Sequence, residues 1–160
     1  AFAEAVSAAG VDGVLTVDLP PMEADELNAM MRAVKVDTIF LVAPTTREER
    51  VASIIEHCSG YLYYVSLKGV TGAALTDFGS VTANINKLRE RTQLPIVIGF
   101  GIKDAQSAAA MGKLADGVII GSALVEKIAL LADQVEHESA LLSDTIRVIS
   151  EAREALDKLV

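Results

Sequence analysis

Five short apolar runs, each followed by a turn and then a helical stretch, set the limits on what this chain can fold into. They begin near residues 14, 38, 61, 96 and 117. Val14–Val17, Thr38–Val42, Tyr61–Val65, Ile96–Ile98 and Val118–Ile120 are rich in β-branched or aromatic residues and too short for helices. Runs apolar throughout suit strands buried on both faces, as in parallel sheets. Alternating strand and helix predicts a parallel sheet with right-handed crossovers.

Five such units fit two architectures. One is an open, doubly wound sheet of the flavodoxin-like kind. The other is part of an eight-stranded (β/α)8, or TIM, barrel. A full barrel takes roughly 250 residues, and three more units of about 30 residues each would bring this chain close to that. The opening AFAEAVSAAG starts in mid-helix, with Ala1, Phe2, Ala5, Val6 and Ala9 already forming an apolar stripe. It reads as a cut from a longer chain. With the long last helix, this favours the barrel. The expectation is one partial barrel domain over 1–160, its N-terminal βα units missing.

Local signals place the helices. Gly10 ends the first as a left-handed cap. Further helices are expected over about 23–34, up to Ser59-Gly60, 81–91, 123–131 and 137–159. Thr45 or Thr46 is the expected cap of the one ending near Gly60, with Glu48 and Glu49 in its first turn. Val81, Ile85 and Leu88 should face inward, as should Leu141, Thr145, Val148, Ala152, Leu156 and Leu159 at three- and four-residue steps.

Composition excludes several functions. The formal net charge is −8, with no basic cluster, so nucleic acid and anionic membranes are poor partners. No apolar run is long enough to span a bilayer. The single cysteine, Cys58, permits no internal disulfide, and a reducing, cytoplasmic setting is expected. His57, His137 and Cys58 have no companions suggesting a metal site or a nucleophile and read as structural.

The candidate chemistry lies at strand ends. Residues 95–125, PIVIGFGIKDAQSAAAMGKLADGVIIGSALV, contain two neighbouring strands stopped by Gly99-Phe100-Gly101 and Gly121-Ser122. Glycine lets a backbone approach a ligand and present bare N–H groups. The helix after Gly121 adds the positive end of its dipole. In α/β barrels a phosphate cradle is often built after the seventh and eighth strands. Lys68-Gly69-Val70-Thr71-Gly72-Ala73 forms a third glycine-containing turn after a strand. There Gly72 could offer an N–H, and Thr71 could hydrogen-bond a substrate or catalytic group. The opposing reading is steric: glycine at tight strand–helix turns. Tyr63 and Phe100 are expected as pocket walls. Asp18 at the first strand's end is either catalytic or a loop hydrogen-bond acceptor. Pro20-Pro21 stiffen a surface loop that suits a partner interface.

GVDGVLTVDLPP, FLVAP, YYVSLKGVTGA, IVIGFGI and ADGVIIGSALV, in that order, together resemble the α subunit of tryptophan synthase. The resemblance covers essentially the whole chain and implies that it supplies about strands 4–8 of a TIM barrel with their helices. It implies a lyase of tryptophan biosynthesis, which cleaves indole-3-glycerol phosphate to indole and glyceraldehyde 3-phosphate by a retro-aldol reaction. No cofactor is implied here; pyridoxal phosphate is expected only in the partner β subunit of an α2β2 heterotetramer. The family's two acid–base carboxylates lie upstream of this sequence, so no catalytic residue is expected in it, and the segment alone should be inactive. Carried over, Gly72, Gly101, Gly121 and Ser122 correspond to phosphate contacts. Leu15, Tyr63 and Phe100 correspond to indole-pocket walls, and Thr71 to a threonine assisting by loop closure. Asp18 and Pro20 fall at the interface with the β subunit. The alternatives are a non-catalytic phosphate-binding or self-associating half-barrel, or another phosphate-binding barrel enzyme.

Overall fold

In the computed structural model, residues 1–66, 78–99, 101–131 and 138–159 are described. The strands among them are β1 (Gly13–Leu15), β2 (Asp37–Ile39), β3 (Leu41–Val42), β4 (Leu62–Val65), β5 (Ile96–Gly99) and β6 (Gly117–Ile119). The helices are α1 (Phe2–Ala8), α2 (Asp25–Ala33), α3 (Glu48–His57), α4 (Phe78–Arg89), α5 (Ala105–Gly112), α6 (Ser122–Leu131) and α7 (Glu138–Asp157). Every pairing is parallel, and the sheet orders are β1-β2 and β3-β4-β5-β6.

The expected strand over 38–42 is broken at Phe40. Its first half pairs with β1 and its second half with β4, so one run of chain bridges the two sheets. Each strand lies beside the next in sequence, with no reversal of order. A doubly wound sheet requires such a reversal, so the flavodoxin-like alternative falls and the arc of an α/β barrel stands.

The two faces of this arc differ. Phe40, Val42, Leu62, Tyr64, Ile96 and Ile98 are buried in one core with Val51, Ile54, Val81, Ile85, Leu88, Ala108, Met111 and Ala152 from the helices. A smaller core joins Ala3, Met31 and Val36 under α1 and α2. Residues of alternate parity, including Leu41, Tyr63, Val97 and Gly117, share one register row on the opposite, inner face. Leu41, Val65, Val97 and Ile119 there are only partly buried.

Helix ends follow local chemistry. Gly10, at φ +74°, ends α1 with its N–H on the Ser7 carbonyl and the Val11 N–H on that of Val6. This is the Schellman arrangement. The same pair of bonds closes α2, but Lys35 occupies the left-handed position at φ +59°. The threonine cap expected for α3 is absent: Arg47 is the cap residue and gives no side-chain bond. The Thr46 hydroxyl instead accepts the Ala43 N–H at 2.9 Å, a local turn bond that competes with capping. The helix expected from residue 23 begins as a separate 3-10 turn over Pro21–Glu23. On α7, Thr145, Val148 and Ala152 are buried as the periodicity required and Leu156 is partly buried, but Leu159, beyond the helix end, is exposed. Leu156 packs where a side chain on Gly112 would overlap it, so α5 and α7 approach closely through that glycine.

Candidate functional site

The C-terminal ends of β5 and β6 lie side by side, with Gly99 in register with Ile119. Two residues on from each pair member stand Gly101 and Gly121. Gly101 adopts φ +76°, a conformation glycine takes without strain. Gly121 caps α6: its carbonyl accepts the N–H groups of Leu124 and Val125 at 2.9 and 3.1 Å. A Cβ built at Gly121 would meet nothing within 4 Å. Among the described residues, packing therefore does not explain this glycine. Ser122 is the helix's first residue, where backbone N–H groups have no intrahelical acceptor.

Gly99 has a different reason to be glycine. Its added Cβ would overlap the hydroxyl and ring of Tyr63 on the neighbouring strand. The tyrosine lies across β5 on the inner face and is only 8 % exposed. Burial raises the Tyr63 phenol above its usual range, and the nearby Tyr61 adds to this. The ring is a neutral wall with a polar tip. Leu15, also inward-facing, is 40 % exposed and separated from Tyr63 by the chain of β2 and β3. Thr71, Gly72 and Phe100 lie outside the described residues.

Asp18 and Pro20 are exposed in the loop after β1. Val17 and Met22 beside them are 67 % and 85 % exposed. Apolar side chains left in water next to a proline-stiffened turn are features of docking surfaces.

Two of the groups read as structural, Cys58 and His57, have structural partners, and His137 lies outside the described residues. Burial raises the Cys58 thiol, which donates to the Tyr61 carbonyl at 3.1 Å. His57 ties α3 to α2 through Asp25 at 3.0 Å. Among the described residues no cluster of side chains could hold a metal, and no helix is long and apolar enough to cross a membrane.

A cleft of about 220 Å³ opens on the other face of the sheet, between α3 and α4. Val42, Val51, Tyr64 and Leu88 form its floor, and the Arg91–Glu48 ion pair at 3.3 Å lies at its rim. Asn84 donates to the Tyr64 hydroxyl there at 3.0 Å. The helix layer holds this cleft, not the strand ends that carry Gly101 and Gly121.

One residue at the strand ends, inside the YYVSLKGVTGA stretch, is assigned no role from the sequence. Ser66, directly after β4, is buried and donates through its hydroxyl to the Gly99 carbonyl at 3.0 Å. A single serine in a loop has no spacing to betray it; only the pairing of β4 with β5 brings it to Gly99.

Comparison with known proteins gives one answer. Residues 1–154 match the family model described as tryptophan synthase alpha chain. The tryptophan synthase alpha chain of Marinobacter nauticus is 50 % identical over 159 residues, which cover 99 % of this chain and 58 % of that protein. That of Cupriavidus metallidurans is 50 % identical over 157 residues, covering 98 % and 57 %. The crystal structure of tryptophan synthase subunit alpha from Legionella pneumophila superposes with a TM-score of 0.83 at 35 % identity, covering 98 % of this chain and 56 % of that one. The structure of Mycobacterium tuberculosis tryptophan synthase gives 0.81 at 32 %, covering 97 % and 55 %. The chain thus spans somewhat over half the length of the relatives it matches.

Proposed function

The chain belongs to the tryptophan synthase alpha chain family, and from that premise we propose that it forms the substrate-binding half of a complete α/β barrel. The completed barrel is a lyase of tryptophan biosynthesis that cleaves indole-3-glycerol phosphate to indole and glyceraldehyde 3-phosphate. Gly101, Gly121 and Ser122 hold the phosphate through backbone N–H groups and the start of α6. Gly72 completes the cradle. Tyr63, Leu15 and Phe100 wall the indole, and Thr71 assists when its loop closes.

The single observation that carries this reading is the placement of Gly101 and Gly121, each two residues beyond the paired ends of β5 and β6. One holds a left-handed conformation, and at the other, a helix start, a Cβ would meet none of the described residues. The cleavage needs an acid for the indole ring carbon and a base for the hydroxyl proton. Those carboxylates belong to N-terminal βα units preceding this segment. The strands of such units would pair with the free edges of β1 and β6, and their inward side chains would fill the interior beside the partly buried Leu41, Val65, Val97 and Ile119. Asp18, Pro20 and the exposed Val17 and Met22 form the docking surface for the β subunit, which carries the pyridoxal phosphate.

The test is phosphate binding by the complete protein. Gly121→Val should weaken inorganic phosphate binding by about tenfold or more, because a branched side chain blocks the backbone approach. It should raise KM for indole-3-glycerol phosphate in parallel. Equal phosphate affinity in the variant and the parent removes the cradle assignment.

A further inference from the structure

Two donors of Ser66 converge on one acceptor. Its N–H lies 3.2 Å and its hydroxyl 3.0 Å from the Gly99 carbonyl oxygen. The backbone bond follows from the parallel register of Val65 with Gly99. The hydroxyl bond is additional, and the side chain making it is 7 % exposed. The arrangement has a counterpart one sheet away. Thr16, directly after β1, sends its N–H to the Ile39 carbonyl at 3.1 Å, but its hydroxyl stands 3.5 Å off. The device is tightened between β4 and β5, where the acceptor strand runs into the Gly101 turn.

That acceptor needs an external hold. Gly99 has no Cβ, and two residues later Gly101 sits at φ +76°. Glycine restricts its own backbone least, so the direction of the chain leaving β5 is weakly set by local sterics. A carbonyl gripped by two donors is set by its neighbours instead.

We propose that Ser66 is a positioning residue for the anion cradle: by clamping the Gly99 carbonyl it fixes where the Gly101 backbone stands relative to Gly121. This rests on the cradle reading above. The hydroxyl touches no phosphate; it acts through the Gly99 peptide. A misplacement of under an ångström at such a cradle lengthens several N–H contacts at once.

The experiment compares the complete protein with its Ser66→Ala and Ser66→Thr variants. Inorganic phosphate and indole are the two probes, each titrated by calorimetry, and steady-state kinetics supply KM and kcat. Ser66→Ala should weaken phosphate five- to tenfold and raise KM similarly, leaving indole affinity unchanged. Ser66→Thr, which keeps a hydroxyl on the same Cβ, should recover most of the loss. The Gly101 amide resonance should move in Ser66→Ala and return in Ser66→Thr. Phosphate binding by Ser66→Ala equal to the parent refutes the positioning role alone. So does an equal loss of phosphate and indole affinity without rescue by threonine, which would mark a general structural role. A parent protein that binds no phosphate refutes the cradle reading together with this one.

Discussion

Gly99→Ala isolates the contact that defines the inner face of the site. A methyl group at this position would overlap the Tyr63 hydroxyl, Cζ and Cε1. The clash involves the rigid end of an aromatic ring, and Tyr63 is buried, so the ring cannot swing freely into solvent. Forcing extra volume into a packed site costs about 1–3 kcal/mol. Without a clash the same change should help. Glycine in a strand interior is about 0.5–1 kcal/mol worse than alanine, because it has more backbone freedom to lose on folding. The sign of the effect is therefore set by Tyr63. In the parent background Gly99→Ala should destabilise the complete protein by about 1–2 kcal/mol. In a Tyr63→Ala background, where the ring is gone, it should be neutral or stabilising by a few tenths of a kcal/mol. The coupling from the double-mutant cycle should then be about 1–2.5 kcal/mol. Urea unfolding of the four proteins measures it through the transition midpoints. Additive effects, within about 0.5 kcal/mol, would mean that Tyr63 does not lie across Gly99, and would remove it as a wall of the pocket.

Lys35→Gly should stabilise the protein by about 1 kcal/mol in the same unfolding assay, since a side chain in the left-handed conformation costs roughly that much. A loss of stability would show that the Lys35 stem makes contacts outweighing its backbone strain. His57 predicts a pH dependence. Its Nδ1 faces the Ser53 carbonyl at 2.8 Å and its Nε2 faces Asp25 Oδ1 at 3.0 Å, so both ring nitrogens meet acceptors. The bond to Ser53 is the main cause that raises its pKa above the usual 6.5; burial opposes it, and Asp25 and the neighbouring Glu56 support it. A raised folded pKa contributes stability fully present below the unfolded value and lost as pH climbs through the folded one. The urea midpoint should therefore fall from just below pH 6.5 upward, and His57→Ala should flatten that slope; the same slope in the variant would refute the assignment.

The sequence carried the architecture because the determinants of a parallel barrel are local and repeated. Each β-branched run, each turn and each apolar helix stripe such as Val81, Ile85 and Leu88 announces itself within a few residues. What it could not carry are choices made between elements distant in sequence. Glycines look alike on the page, yet their causes differ. Gly112 admits Leu156 and Gly99 admits Tyr63, while at Gly121 a Cβ would meet none of the described residues. Only the last kind argues for a ligand, and telling the kinds apart requires knowing what a Cβ would strike. The Thr46 cap failed for a related reason: a hydroxyl near a helix start has more than one backbone group to choose from, and the Ala43 N–H won. Ser66 is the strongest case. Its partner lies 33 positions away, and although it sits in the YYVSLKGVTGA stretch, nothing in that stretch says which backbone group it would hold. Functional glycines in a barrel are thus found by subtraction: those that packing explains, such as Gly99 and Gly112, and those that end a helix, such as Gly10, are set aside, and those left unexplained at strand ends mark the site. The buried polar groups that hold the unexplained ones in place come to light only once the strands are paired.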